Sequence, residues 1–312
     1  MRDITITMPD DRRALVDLLP RFLMGATRGW DGLIPLLDAS GLDRPAFFLL
    51  RALTEERNPG DGITEAEMHA DLFNPYSTLR PILDALPMLL TTGYVARDGD
   101  RYTVTREGRD VATRIAEARD AYLASLAPIP AADLARLVAM LAEIAARLRE
   151  APEPKQKAHQ ARAWRVMPPM GAAPMVRLYG IVYALWMARD DSHTAAWRAA
   201  GFDGPTFDLL SRVWSGETLT VTALTGAVQQ FQRPEDVARG IVLLIAAGYL
   251  TRDGETLRCT PQGKETRDRI ERETDRISFT PWPALSHADI AWLSTTLAAV
   301  IAGVASSSPP HG

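Results

Sequence analysis

A single cysteine, Cys259, stands in the 312 residues. No internal disulfide is available, and the chain suits a reducing compartment. The opening stretch MRDITITMPDDRRALVDLL brings acidic residues early and has no apolar run ahead of a small-residue cleavage site. A secretory signal is therefore not expected, and the cytoplasm is. Long apolar runs are also missing. The longest uncharged stretch, Ile290 to Pro310, is interrupted by Ser294, Thr295, Thr296 and Gly303, and its apolar residues recur at helical spacing. It reads as a core helix rather than a membrane span. Positive charge is scarce: residues 1–150 hold 18 Lys+Arg against 23 Asp+Glu, 175–312 hold 13 against 15, and only 151–174 is basic, at 4 against 1. That balance counts against tight non-specific nucleic-acid binding. Catalytic signatures are lacking as well: there is no Gly-x-Ser-x-Gly elbow, phosphate-loop glycine pattern or His-Glu-x-x-His helix. His69, His159, His193, His287 and His311 are scattered without metal-ligand spacing. The expectation is a protein that is not an enzyme and holds no metal or cofactor.

What is present is an internal repeat, in a composition of 46% hydrophobic and 24% charged residues that fits globular domains. Gly41-Leu42-Asp43-Arg44-Pro45 answers to Gly201-Phe202-Asp203-Gly204-Pro205, Gly93-Tyr94 to Gly248-Tyr249, Arg97-Asp98-Gly99-Asp100 to Arg252-Asp253-Gly254-Glu255, and Thr105-Arg106-Glu107-Gly108 to Thr260-Pro261-Gln262-Gly263. The repeat divides the chain into a first domain at 1–150, a proline-rich basic linker at 151–174, a second domain at 175–305 and a disordered tail at 306–312.

Each repeat reads as the same string of elements. A long first helix (Asp10 to Ala39, with a bend at Pro20; Met175 to Ala200) ends before an Asp N-cap followed by proline in the first turn. Thr64 with Glu67 forms a capping box for a short helix whose counterpart starts near Thr220. A helix then runs from Pro81 or Pro234 to the glycine at 93 or 248. An Asp-Gly turn between alternating segments predicts a hairpin. Thr105 or Thr260 caps a long charged helix, and a last helix carries an apolar stripe: Leu134, Leu137, Val138, Leu141, Ile144 and Leu148 in one copy, Ile290, Leu293, Leu297, Val300 and Ile301 in the other.

A long helix, a Gly-Leu-x-x-Pro entry, two short helices, Gly-Tyr into a hairpin, and Thr105-Arg106-Glu107-Gly108-Arg109 opening a long helix: this order resembles the multiple-antibiotic-resistance regulator (MarR) family of winged-helix transcription factors. The resemblance implies a mainly α fold with small β-hairpin wings, as two winged helix-turn-helix domains in tandem related by a pseudo-two-fold axis. It also implies a self-contained pseudo-dimer that binds double-stranded DNA and answers to a small aromatic effector. Family members interleave their first and last helices, so those of both copies are expected to pack together. Two features depart from the family. The hairpins are tight, with Asp98 and Asp100 beside Arg97 and Arg101, and the helix after Pro81 offers almost no donor to a base edge and is broken by Pro87.

For DNA contact, Gln229, Gln230, Gln232 and Arg233 at the turn of the second copy rank first, with Arg239 on the following helix. Ser77, Thr78 and Arg80 precede the corresponding helix of the first copy, where phosphates are commonly held or where a turn is simply capped. Arg97, Arg101, Arg252 and Arg258 lie on the hairpins, able to meet DNA or to pair with neighbouring acids. Basic linker residues, among them Lys157 and Arg162, either reach DNA or keep the linker soluble. Trp30, Trp186, Trp197 and Trp214 are candidate lining for an effector pocket, or aromatic core filler. The alternative to a DNA-binding regulator is a winged-helix scaffold that has lost DNA binding and holds a small molecule or a protein.

Overall fold

The computed structural model describes residues 10–56, 62–71, 75–78, 83–216 and 219–307. Along the chain lie α1 (Asp10–Ala26), α2 (Leu33–Ala39), α3 (Arg44–Glu56), β1 (Ile63–Thr64), α4 (Glu65–Asp71), α5 (Leu86–Thr91), β2 (Val95–Asp98), β3 (Arg101–Val104), α6 (Arg106–Ala124) and α7 (Ala131–Glu150). There follow α8 (Ala158–Arg165), α9 (Pro174–Ala199), α10 (Gly204–Ser215), α11 (Val221–Val228), α12 (Pro234–Ala246), β4 (Leu250–Asp253), β5 (Thr256–Cys259), α13 (Pro261–Phe279) and α14 (His287–Ser307). The protein is mainly helical with small antiparallel sheets. It divides into two compact units, each discontinuous in sequence: a helical unit of Met1–Pro35, Ile115–Asp190 and Ile277–Gly312, and a hairpin unit of Leu36–Arg114 and Asp191–Arg276. Compaction thus follows a different division from the two successive repeats.

In the helical unit the stripes of α1, α7, α14 and the first part of α9 meet in one core, with Phe22, Leu137, Leu141, Ile144, Leu178, Val182, Leu293, Leu297 and Val300 fully buried. Each such side chain contributes about 1.5–3 kcal/mol by leaving water. The first and last helices of both repeats therefore share an interior. His287–Ser306 is long and apolar enough to cross a membrane by length and composition, and its stripe is spent on this core. Pro20 does not end α1. The break falls instead at 27–32, between Gly25 and Gly32, where the expected single helix gives way to turns before α2. The predicted linker contains α8, with Gln160, Arg162 and Ala163 buried, so it is packed structure and not an exposed tether. Ser306 belongs to α14 rather than to a tail; residues 308–312 lie outside the described residues.

The hairpin unit carries the caps that the sequence advertises. Asp43 Oδ1 accepts from Ala46 N at 2.8 Å and Asp203 Oδ1 from Thr206 N at 2.7 Å. Thr64 and Glu67 close their box reciprocally at 2.8 and 3.2 Å. Both hairpins form as expected, with Asp98 opposite Arg101 and Asp253 opposite Thr256 across two-residue turns. The first gains a third strand, β1, on the outer edge of β3; in the second repeat the same place holds a single bridge from Thr220 to Thr256. The Thr-x-x-Gly motif has a steric cause. Thr105 and Thr260 cap their helices onto Gly108 N and Gly263 N while donating to the carbonyls of Gly93 and Gly248. A Cβ at either motif glycine would lie 2.2 Å from the carbonyl of Tyr94 or Tyr249, so only glycine fits.

Candidate nucleic-acid interface

In the second repeat, α10, α11 and α12 pack around Leu209, Leu210, Val213, Leu224, Val228, Val237, Ile241 and Leu244, closed by Leu250 and Leu257 of the hairpin. Thr220 caps α11 by accepting from Ala223 N at 3.1 Å, Gln229 to Arg233 make the turn, and Pro234 opens α12 where its missing N–H costs little. Because Val237, Gly240, Ile241 and Leu244 face inward, the helical period turns Glu235, Ala238, Arg239, Val242, Leu243 and Ala246 outward. Val242 and Leu243 are 64% and 53% exposed. The one cation on this face, Arg239, is 67% exposed and paired with Asp236.

Gln229 and Gln230 are exposed at the turn, free to meet a ligand. Gln232 is not: it is 1% exposed and donates Nε2 to the carbonyls of Tyr76 at 3.3 Å and Pro205 at 3.1 Å. It braces the turn from within, and the expectation of DNA contact fails there for want of access. Arg233 is engaged by Asp84, whose two carboxylate oxygens each lie 2.6 Å from Nη2; the ion pair holds the Arg233 proton more tightly than usual. Ser77 Oγ and Thr78 N donate to the Phe231 carbonyl at 2.9 Å each. Ser77 and Thr78 therefore clamp the neighbouring turn and are not offered to phosphate. Arg80 lies outside the described residues.

The hairpin arginines are mostly consumed locally. Arg97 donates Nε to the Gly99 carbonyl at 2.9 Å and lies over the Tyr102 ring. Arg101 bonds the Gly62 carbonyl and faces Glu67 at 3.5 Å. Arg252 bonds the Gly254 carbonyl at 2.6 Å and Glu255 at 3.0 Å. Arg258 is exposed on β5 and is the hairpin cation best placed for an outside partner. In the former linker, Lys157 donates Nζ to the carbonyls of Leu148 and Ala151, closing the end of α7, and Arg162 is buried.

The helix expected from Pro81 is interrupted as Pro87 requires: residues 79–82 lie outside the described residues, Leu83 is helical, Asp84 and Ala85 turn, and the six-residue α5 starts at Leu86 with Pro87 in its first turn. The side chains of Leu86, Pro87, Met88, Leu89 and Leu90 carry no hydrogen-bond donor, and Thr91 spends its hydroxyl on the Pro87 carbonyl at 2.8 Å.

The four tryptophans are divided between the two units. Trp30 follows α1, and Trp186 packs against the core of the helical unit. Trp197 is buried in the hairpin unit and stacks on Phe207. Trp214 donates its indole N–H to Asp268 at 2.9 Å, under the Arg267 guanidinium. A groove of about 530 Å³ in the helical unit is lined instead by Ala121, Ala124, Val166, Met167, Pro168 and Ala173, among others, with Asp120 and Arg165 also on its wall. Sequence reading missed Asp84 and the Phe231 carbonyl. A lone acid in an apolar stretch and a backbone oxygen carry no pattern that names their partners.

Residues 158–309 match a helix-turn-helix family. The match spans α8 to α14, just under half of the chain, and supports a helix-turn-helix DNA-binding domain in this part of the protein. It begins at the first residue of α8, attaching the segment read as linker to the second repeat. No curated protein and no solved structure matches the chain.

Proposed function

We propose that this protein is a DNA-binding transcription regulator of the MarR-like winged-helix type, in which one chain supplies two winged-helix repeats as a fused pseudo-dimer. It works without catalysis, in the cytoplasm. The observation that carries the reading is the placement of α11, the exposed turn at Gln229 and Gln230, α12 and the β4–β5 hairpin inside the helix-turn-helix match. Arg239 and Arg258 supply the accessible cations. With so few of them, and with Glu235 and Asp236 in the first turn of α12, affinity is moderate and strongly lowered by salt. A gel-shift titration against the DNA upstream of its own gene, at low and at physiological salt, tests this: complex at low salt that weakens steeply supports it, and no complex at low salt contradicts it.

A second reading, a scaffold that holds a protein or small molecule, is favoured by one observation: the outward face of α12 presents Val242 and Leu243 where a reader carries polar side chains. Under this reading, and equally for an effector-responsive regulator, the groove between α6 and residues 165–176 is the place for a small apolar ligand. Absence of a low-salt complex together with a tryptophan-fluorescence response to small aromatic compounds selects this alternative.

A further inference from the structure

We infer that the protein reads one undivided DNA site through the helix-turn-helix of the second repeat alone, and that the corresponding segment of the first repeat serves as the brace of that reader. The inference rests on the DNA-binding reading above and concerns the form of the site.

A two-reader regulator sets the base-contacting N-terminal ends of its helices about one helical turn apart, roughly 34 Å, so that each enters a successive major groove. Here those ends are joined within the hairpin unit. The pair between Arg233, the residue before α12, and Asp84, two residues before α5, is direct at 2.6 Å. Even with both side chains extended, their Cα atoms lie no more than about 13 Å apart by standard bond lengths. The backbones come closer still: Thr78 N donates to the Phe231 carbonyl at 2.9 Å, Ser77 Oγ shares that acceptor, and Gln232 reaches the Tyr76 carbonyl. Gly204, the first residue of α10, is so near the Pro75 carbonyl that a Cβ would stand 1.7 Å from it. Only glycine permits this approach, so the contact is written into the second repeat's own first turn.

The chemistry is equally one-sided. Among the described residues of the first repeat, α5 offers no free side-chain donor to a base edge, whereas the turn before α12 exposes two glutamines, and Arg239 and Arg258 stand outward. Ser77 and Thr78, whose hydroxyls a reader would turn toward phosphate, are spent on the Phe231 carbonyl, and Asp84, whose charge opposes phosphate, is spent on Arg233. Asp84 is thus a positioning residue: it and the Phe231 clamp fix the angle at which α12 leaves its turn. The partner that fits is a duplex with a single short recognition element, contacted by one α12 per chain.

The test is selection of duplexes from a random 40-base-pair library by the full chain at low salt, followed by polarisation with the enriched duplex. Recovery of a single undivided motif is expected. Gln229→Ala and Arg239→Ala should then weaken binding about fivefold or more, while Leu90→Gln and Thr91→Ala on α5 leave it within twofold. An inverted repeat with half-sites a helical turn apart, or equal losses from the α5 variants, overturns the inference and leaves DNA binding standing. No enrichment at all overturns both.

Discussion

Gln232 crosses from the turn before α12 to the Tyr76 carbonyl, buried at 1% exposure, and holds the Pro205 carbonyl with the same amide nitrogen. Replacing it leaves two acceptors without their donor in the interior, at about 1–3 kcal/mol. Gln232→Ala should lower the thermal midpoint by several degrees, and Gln232→Glu by more, since a buried carboxylate adds desolvation. A midpoint for Gln232→Ala equal to wild type would show the turn to be open.

The paired glycines of the two Thr-x-x-Gly motifs give a matched comparison. Gly108→Ala and Gly263→Ala each force a methyl to within 2.2 Å of a tyrosine carbonyl, and the hairpin or the helix start must shift. Each substitution should cost about 1–3 kcal/mol in denaturant titration, as overpacking does. A neutral effect at both positions would contradict the close approach.

The start of α14 predicts an acid dependence. Asp289 accepts from Ser286 Oγ at 2.7 Å and from Ser286 N at 3.1 Å. These bonds hold its carboxyl below the ordinary range, with the more distant Arg136 adding to the effect. A lowered folded-state pKa gives stability that is complete above the unfolded value, about 3.9, and is lost as pH falls through the folded value. The midpoint difference between wild type and Asp289→Ala should be present at neutral pH and should close as pH falls below about 4. A difference unchanged at pH 3 would rule out the cap as its source.

DNA contact through the second repeat predicts the salt response of two cations. Arg239→Ala and Arg258→Ala should each weaken binding and reduce the slope of log K against log salt by roughly one. Losses from Arg97→Ala that exceed both would place the contact on the first hairpin instead.

The sequence made local structure legible wherever a residue acts on its own neighbours. Asp43, Asp203, Thr64 and Thr105 cap as their spacing requires, both Asp-Gly hairpins close in register, and the stripes at Leu134 to Leu148 and Ile290 to Val300 are buried. Distant pairing was illegible. Gln232, Arg233, Ser77 and Thr78 have the composition of a phosphate-holding turn, and chain patterning cannot reveal that Tyr76, Asp84 and Phe231 engage them from 149 to 156 residues away. The tryptophans misled for a related reason: similar helical positions in sequence are spread over two compact units.

The claim that α12 and its hairpin form the DNA-contacting surface is tested most directly by amide hydrogen exchange of the full chain, with and without a saturating enriched duplex at low salt. Slowed exchange is predicted across residues 229–246 and 250–259, with residues 86–104 unchanged. Equal protection of residues 86–104, or no protection at 229–259 under saturation, would contradict it.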